Sequence, residues 1–260
     1  MKKIYLALLP FILIVNACNQ QKPELVTTPA AAAPDTMATD TALQEVAAET
    51  PALPACSLEA PLLLPDTTAT DAKLQAYLQD LTKAVQAQDA QQLQKLTAPD
   101  IRTGFGEEGG WESFAKQWQP GKADSEVWLL LDHLLRLGGG YPLASNKDLY
   151  ALPYVYSNWP DSVDAFMHIA VTKTGAILRE EPAANAPARC TLNHYILKVD
   201  YEKSYPEGAP QKEWWHVQSP DGALQGYLHH ADVHSPVGYR AIFNRSKNGA
   251  WQMTALVNGD

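Results

Sequence analysis

The chain has 260 residues with 20 basic and 29 acidic side chains, a formal charge of −9 that makes nucleic acid and anionic lipid headgroups poor long-range partners. No basic cluster is dense enough to override that balance. Setting aside the N-terminal quarter leaves about 195 residues, enough for one large or two small domains.

Lys2 and Lys3 precede the apolar run IYLALLPFILIV and then NAC. A run of about 12 apolar residues is too short for a bilayer, which takes about 20, and its flanks are those of a secretory signal. Val15-Asn16-Ala17-Cys18 resembles the lipobox of bacterial lipoproteins, a small residue directly before a cysteine, with Asn16 where Ala or Ser is more usual. The resemblance implies removal of residues 1–17, diacylglycerol on the Cys18 sulfur and a fatty acid such as palmitate on its amine. Asn19, rather than Asp, at the next position implies sorting to the outer membrane, facing the periplasm. Two or three acyl chains anchor stably where one is marginal. The competing reading is an ordinary signal peptide that ends near a cysteine. With Cys18 lipidated, Cys56 and Cys190 remain as an even pair in an oxidising compartment, so a disulfide between them is expected, against two thiols with one buried in apolar packing.

From Asn19 to about Pro65 the composition is rich in Ala, Pro, Thr, Glu and Gln, with no aromatic residue between Phe11 and Tyr77. Such a segment has too little to bury, so residues 18–65 are expected to form a disordered tether. Compact structure is expected from Asp66. Leu74, Tyr77, Leu78, Leu81 and Val85 mark one face of a helix starting near Thr70. Asp89 and Gln92 resemble a capping box for a second, short helix through Leu93 and Leu96, with Pro99 as its stop. After the loop GFGEEGG, Trp111, Phe114 and Trp118 recur at helical spacing. Ser125 can cap a further helix, EVWLLLDHLLRL, which stops at Gly138, Gly139 and Gly140. Being apolar nearly all round, that helix is expected at the centre of the core of a domain over residues 66–170.

Beyond Tyr141 short β-type segments recur every 10–15 residues or so: LYALPYVYSNW, DAFMHIAVTK, AILRE, HYILKVD, EWWHVQSP, LQGYLHH, YRAIFNR and WQMTALV. Residues 171–235 resemble the bacterial SH3 domain family, on Leu178, Arg179 and Pro182, then Trp215, Val217, Asp221, Gly222, Gly226 and Tyr227 in that order and spacing. The segment YEKSYPEGAPQKE is longer than the family's usual loop, and Gly-Tyr replaces the usual Gly-Trp. The resemblance implies a small β-barrel that binds, often peptidoglycan or its peptides. The tail, residues 236–260, reads as a closing hairpin around Asn248-Gly249, pairing back with the 66–170 domain so that the barrel becomes an insertion. The expected class is therefore α+β: a helical region, an SH3-like barrel and a terminal hairpin.

Trp214, Trp215 and Tyr227 are the ligand-binding candidates, since their flat faces suit a sugar or a proline-rich surface. Adjacent strand residues point to opposite faces, so one of the two tryptophans belongs to the core. Catalytic sets are weaker. No cysteine has a supporting histidine context, and Ser57 and Ser113 lack a nucleophile-elbow motif. His216, His229, His230, Asp232 and His234 match no zinc spacing. Nothing brings Glu107, Glu108, Asp161 and Asp164 together as a carboxylate pair. The expectation is a membrane-anchored, non-catalytic binding or structural module with no cofactor, metal or nucleic acid, recognising peptidoglycan or an envelope protein. The competing readings are an envelope hydrolase in the cleft between helical region and barrel, and a barrel that packs only against its own chain. Clustered polar groups with perturbed pKa would mark the hydrolase; a cleft sealed by Trp111, Trp118 and Trp128 would mark a plain interdomain core.

Overall fold

The computed structural model of the chain describes residues 53–65, 71–104, 106, 109–204 and 213–259. The expected lipidation site at Cys18, the signal peptide and most of the tether lie outside these residues. Helices α1 (Ala72–Gln86) and α2 (Ala90–Leu96) lead into strand β1 (Thr97–Arg102), followed by α3 (Trp111–Trp118), α4 (Glu126–Leu137), β2 (Leu149–Leu152) and the short α5 (Tyr154–Ser157). Then come β3 (His168–Val171), β4 (Ala176–Arg179), β5 (Ala188–Leu192), β6 (Ile196–Asp200), α6 (Tyr201–Ser204), β7 (Trp214–Gln218) and β8 (Gln225–His229). A 3-10 turn (His230–Asp232), β9 (Val233–His234), β10 (Arg240–Arg245) and β11 (Trp251–Val257) complete an α+β chain. None of the described helices is long and apolar enough to cross a membrane.

Local chemistry sets the helix starts. The Asp71 carboxylate accepts from the backbone N–H groups of Lys73 and Leu74, and Asp89 accepts from those of Gln91 and Gln92. Ser125 Oγ accepts from the Val127 N–H while donating to the Trp118 carbonyl, which ties the start of α4 to the end of α3. Helix α4 is not the all-round buried helix expected. Val127, Trp128, Leu131 and Leu134 are buried, but Leu129 is 77% exposed, because α4 packs by one side on α1 and the sheet. Helix α2 ends at Leu96, ahead of Pro99, and Pro99 lies within β1. Proline is tolerated there because β1 is an edge strand that needs only one row of ladder bonds.

A four-stranded sheet has the order β1-β11-β10-β2. The closing hairpin β10–β11 is central, with β1 parallel to β11 on one side and β2 antiparallel to β10 on the other. Phe243 on β10 is fully buried between the rings of Tyr77 (5.7 Å) and Tyr150 (6.4 Å), which joins α1 to the sheet. The segment LYALPYVYSNW, expected as one strand, is β2 followed by α5. Pro153 carries no N–H for the ladder, and the Tyr154 N–H turns to the Gly138 carbonyl instead. At Gly139 a Cβ would sit 2.0 Å from the Ala151 carbonyl oxygen, so only glycine lets the end of α4 run this close to β2.

A second sheet has the order β5-β4-β8-β7-β6-β3-β9. It is not the closed barrel expected: β5 and β9 are its edges, and no pairing among the described residues joins them. Residues 54–56 lie along the β5 edge, and residues 61–63 pair with the β5–β6 connection and the start of β6. The Cys56 N–H donates to the Thr191 carbonyl and the Thr191 N–H to that of Pro54, while Leu63 and Ile196 donate to the carbonyls of His194 and Pro61. Cys56 and Cys190, 134 positions apart in sequence, are joined by a disulfide. The packed chain thus begins before Asp66, since Cys56 and Leu63 are buried. An uncovered β5 would leave a row of unpaired backbone groups, and this segment covers it. Leu178, Leu192, Val199, Val217 and Leu228 form the core of this sheet.

Candidate functional site

Strand alternation sorts the three aromatic candidates. Trp215 turns inward, partly buried against the core of the second sheet, its ring edge-on to Tyr201 at 6.1 Å. Trp214 points the other way, edge-on to His229 at 5.1 Å, and Tyr227 shares that outer face, edge-on to His216 at 4.9 Å. Register extends the row: Arg179 lies opposite Tyr227, and His216 lies opposite both Tyr227 and Asp200.

His216 and Asp200 have the composition of a catalytic dyad without its geometry. His216 Nδ1 is 3.8 Å from Asp200 Oδ2, and the ring is buried. Burial, and then the Lys203 charge, pull the His216 pKa below its ordinary value against the pull of Asp200. Burial alone would raise the Asp200 pKa, but hydrogen bonds and charge from Lys203 outweigh it and hold the carboxylate low. The neighbouring hydroxyl, Ser204 Oγ, donates to the Asp200 carbonyl at 2.6 Å and accepts from the His216 backbone N–H at 2.9 Å. It is therefore committed to backbone and is no nucleophile.

The remaining sets disperse. His229 and His230 stack edge-on at 4.5 Å, Asp232 pairs with Lys173 Nζ at 2.9 Å, and His234 faces His133 of α4 at 5.6 Å. Burial, reinforced by the His133 charge, pushes His234 down to about 4, and burial also lowers His133 and His230. Among the described residues no three His, Cys, Asp or Glu converge as metal ligands. Asp164 is spent on the Phe166 N–H, and Glu107 and Glu108 lie outside the described residues. Trp118 and Trp128 belong to the core of the first sheet, with Trp111 packed against it, so they seal no cleft between the two sheets.

The hollow with the strongest aromatic lining was not singled out by sequence. A cleft of about 410 Å³ opens between α5, the loop before β3, residues 236–237 and β10, lined by Tyr156, Trp159, Phe166, Pro236 and Arg240, with Asp161 also at its wall. Arg240 is only 7% exposed. Its guanidinium lies over the Tyr156 ring at 4.7 Å, and Nη1 donates to the Gly259 carbonyl at 2.5 Å. Trp159 Nε1 donates to the Val163 carbonyl at 2.8 Å, which fixes its ring. At the rim Leu143 is 54% and Phe166 52% exposed. Ser157 Oγ, an aliphatic hydroxyl of this cleft, has the Asn158 Oδ1 at 3.0 Å and the Tyr154 carbonyl at 3.4 Å as its acceptors. The arrangement can hold an apolar or aromatic group against fixed rings with a cation beneath; it holds no nucleophile–base pair. The signal that could have flagged it is Trp159-Pro160 followed by Phe166 in a segment without strand alternation.

No protein-family model, curated protein or solved structure matches this chain.

Proposed function

We propose that this chain is a lipid-anchored protein of the bacterial envelope that binds a partner and does not transform it. In this reading Cys18 carries the acyl chains in the outer membrane, residues 19–52 are a spacer, and the second sheet is an SH3-like module whose edge is covered by residues 54–63. Supporting the SH3-like assignment, Leu178, Arg179, Trp215, Val217, Gly226 and Tyr227 fall on three adjacent strands of one sheet, and Leu178 and Val217 share its core. The observation that carries the binding reading is the aromatic cleft: fixed rings, a buried cation and an exposed apolar rim suit an extended segment of peptidoglycan or of an envelope protein.

The test uses the mature chain and its Phe166→Ser/Leu143→Ser variant, both substitutions being at exposed positions. Each is mixed with purified cell-wall sacculi and, separately, with detergent-solubilised outer-membrane proteins. Co-sedimentation or co-purification that the variant loses supports the reading. Binding that survives in the variant but disappears with Trp214→Ala moves the site to the outer face of β7. No binding to either fraction sinks it.

A further inference from the structure

We infer that a second surface, the groove between α2 and the α3–α4 loop, is a binding site for a neutral carbohydrate chain. Two adjoining hollows of about 360 Å³ each share Gln119 and Lys122 as a common wall. The first is bounded by α2 through Gln91 and Gln94 and by α3 through Trp111. Phe114, fully buried, is stacked nearly parallel on Trp111 (5.1 Å, 19°), so the indole is held as a fixed plane at the wall. Gln91 and Gln94 are one helical turn apart and lie on the same side of α2. Gln119 ends α3 with φ 49°, a left-handed backbone that glycine adopts more readily, and it lines both hollows.

The chemistry of these groups selects the ligand. The amides of Gln91, Gln94 and Gln119 are exposed, and among the described residues none hydrogen-bonds within the chain. Each amide carries two donors and an acceptor, which matches adjacent hydroxyls that also donate and accept. A flat indole matches the C–H face of a pyranose ring. Among the described residues the first hollow is lined by no carboxylate, so they do not suit a cation, and by one lysine, which in a chain of charge −9 does not suit a polyanion. The second hollow adds Asp124, Glu126 and Tyr239, which can accept from hydroxyls, and the two carboxylates repel anions. Two hollows with a shared wall fit successive units of a chain better than one compact ligand.

This inference is independent of the aromatic cleft, and its test separates the two. The full mature chain is titrated with cellotetraose, chitotetraose and a uronate tetrasaccharide, with heat and tryptophan fluorescence as readouts. Saturable binding of a neutral tetrasaccharide is expected, weakened about tenfold or more by Gln91→Ala/Gln94→Ala, whose side chains are exposed, and by Trp111→Ala. Phe166→Ser should leave it unchanged. Absence of saturable binding to either neutral tetrasaccharide overturns the inference, as does tighter binding of the uronate. Binding that survives the double glutamine variant also overturns it. A wall interaction lost only in Phe166→Ser would in that event leave the cleft reading standing.

Discussion

Replacing Cys56 and Cys190 together by alanine removes the covalent tie between the segment at residues 54–63 and β5. The folded state keeps its other fastenings, because the Cys56, Thr191, Leu63 and Ile196 N–H groups donate to backbone carbonyls across this edge independently of sulfur. The effect therefore falls mainly on the unfolded chain, which gains the freedom of an opened loop. With the cysteines 134 positions apart, the loop-entropy relation gives about 17 cal/mol/K, or about 5 kcal/mol at 25 °C. A small void at two positions that are each 8% exposed acts in the same direction. With a urea slope of about 2–3 kcal/mol/M for a chain of this size, the unfolding midpoint should fall by about 2 M. Reductant added to the wild type should lower it nearly as far, since the thiols still fill the space that alanine leaves empty. A double variant that unfolds within about 0.5 M of the wild type would falsify the loop-entropy account. Faster amide exchange at Thr191 and Ile196 with an unchanged midpoint would mean that only the edge is released.

Three further outcomes are expected. Phe243→Ala leaves a cavity between Tyr77 and Tyr150 and should cost about 3–5 kcal/mol in urea unfolding. Gly226→Ala places a Cβ 2.5 Å from the Arg179 carbonyl oxygen and about 3 Å from the Leu178 side chain, so β4 and β8 must part; about 2 kcal/mol should be lost, and an unchanged stability would contradict the close approach. His234 takes up a proton near 6.5 when unfolded but only near about 4 when folded, so its contribution is whole above the unfolded value and is lost as pH falls from 6.5 toward about 4. Burial of His133 acts in the same direction. Unfolding free energies from urea titrations at neutral pH and at about pH 4.5 should differ, by about 2–3 kcal/mol less in His234→Gln than in the wild type, and an equal pH dependence in both chains would show that His234 is not responsible.

Local chemistry was legible in this chain. Asp71, Asp89 and Ser125 mark their helix starts because a cap is made with the next two or three residues, and the apolar spacing of α1 and α3 names the faces that are buried. The strand segments from β3 onward are bounded by Gly, Pro and Asp turns and stand out for the same reason. Cys56 and Cys190 could be paired once Cys18 was assigned elsewhere, because two cysteines leave one choice.

Partners distant in sequence decided the rest. Strand β1 exists because β11, some 150 residues later, supplies its ladder, and a six-residue stretch containing Pro99 has no strand pattern of its own. Alternation says that one of Trp214 and Trp215 faces the core; only the core beneath β7 says that it is Trp215. The segment at residues 54–63 has the composition of a spacer and acquires order from distant partners: backbone bonds to β5 and to residues 194–196, the Cys190 sulfur, and the cores that bury Cys56 and Leu63. The aromatic cleft draws on residues from Pro142 to Arg240, and the glutamine groove sets α2 against the far end of α3. Both depend on side chains converging in space from separate elements, and no local period in a sequence encodes that convergence.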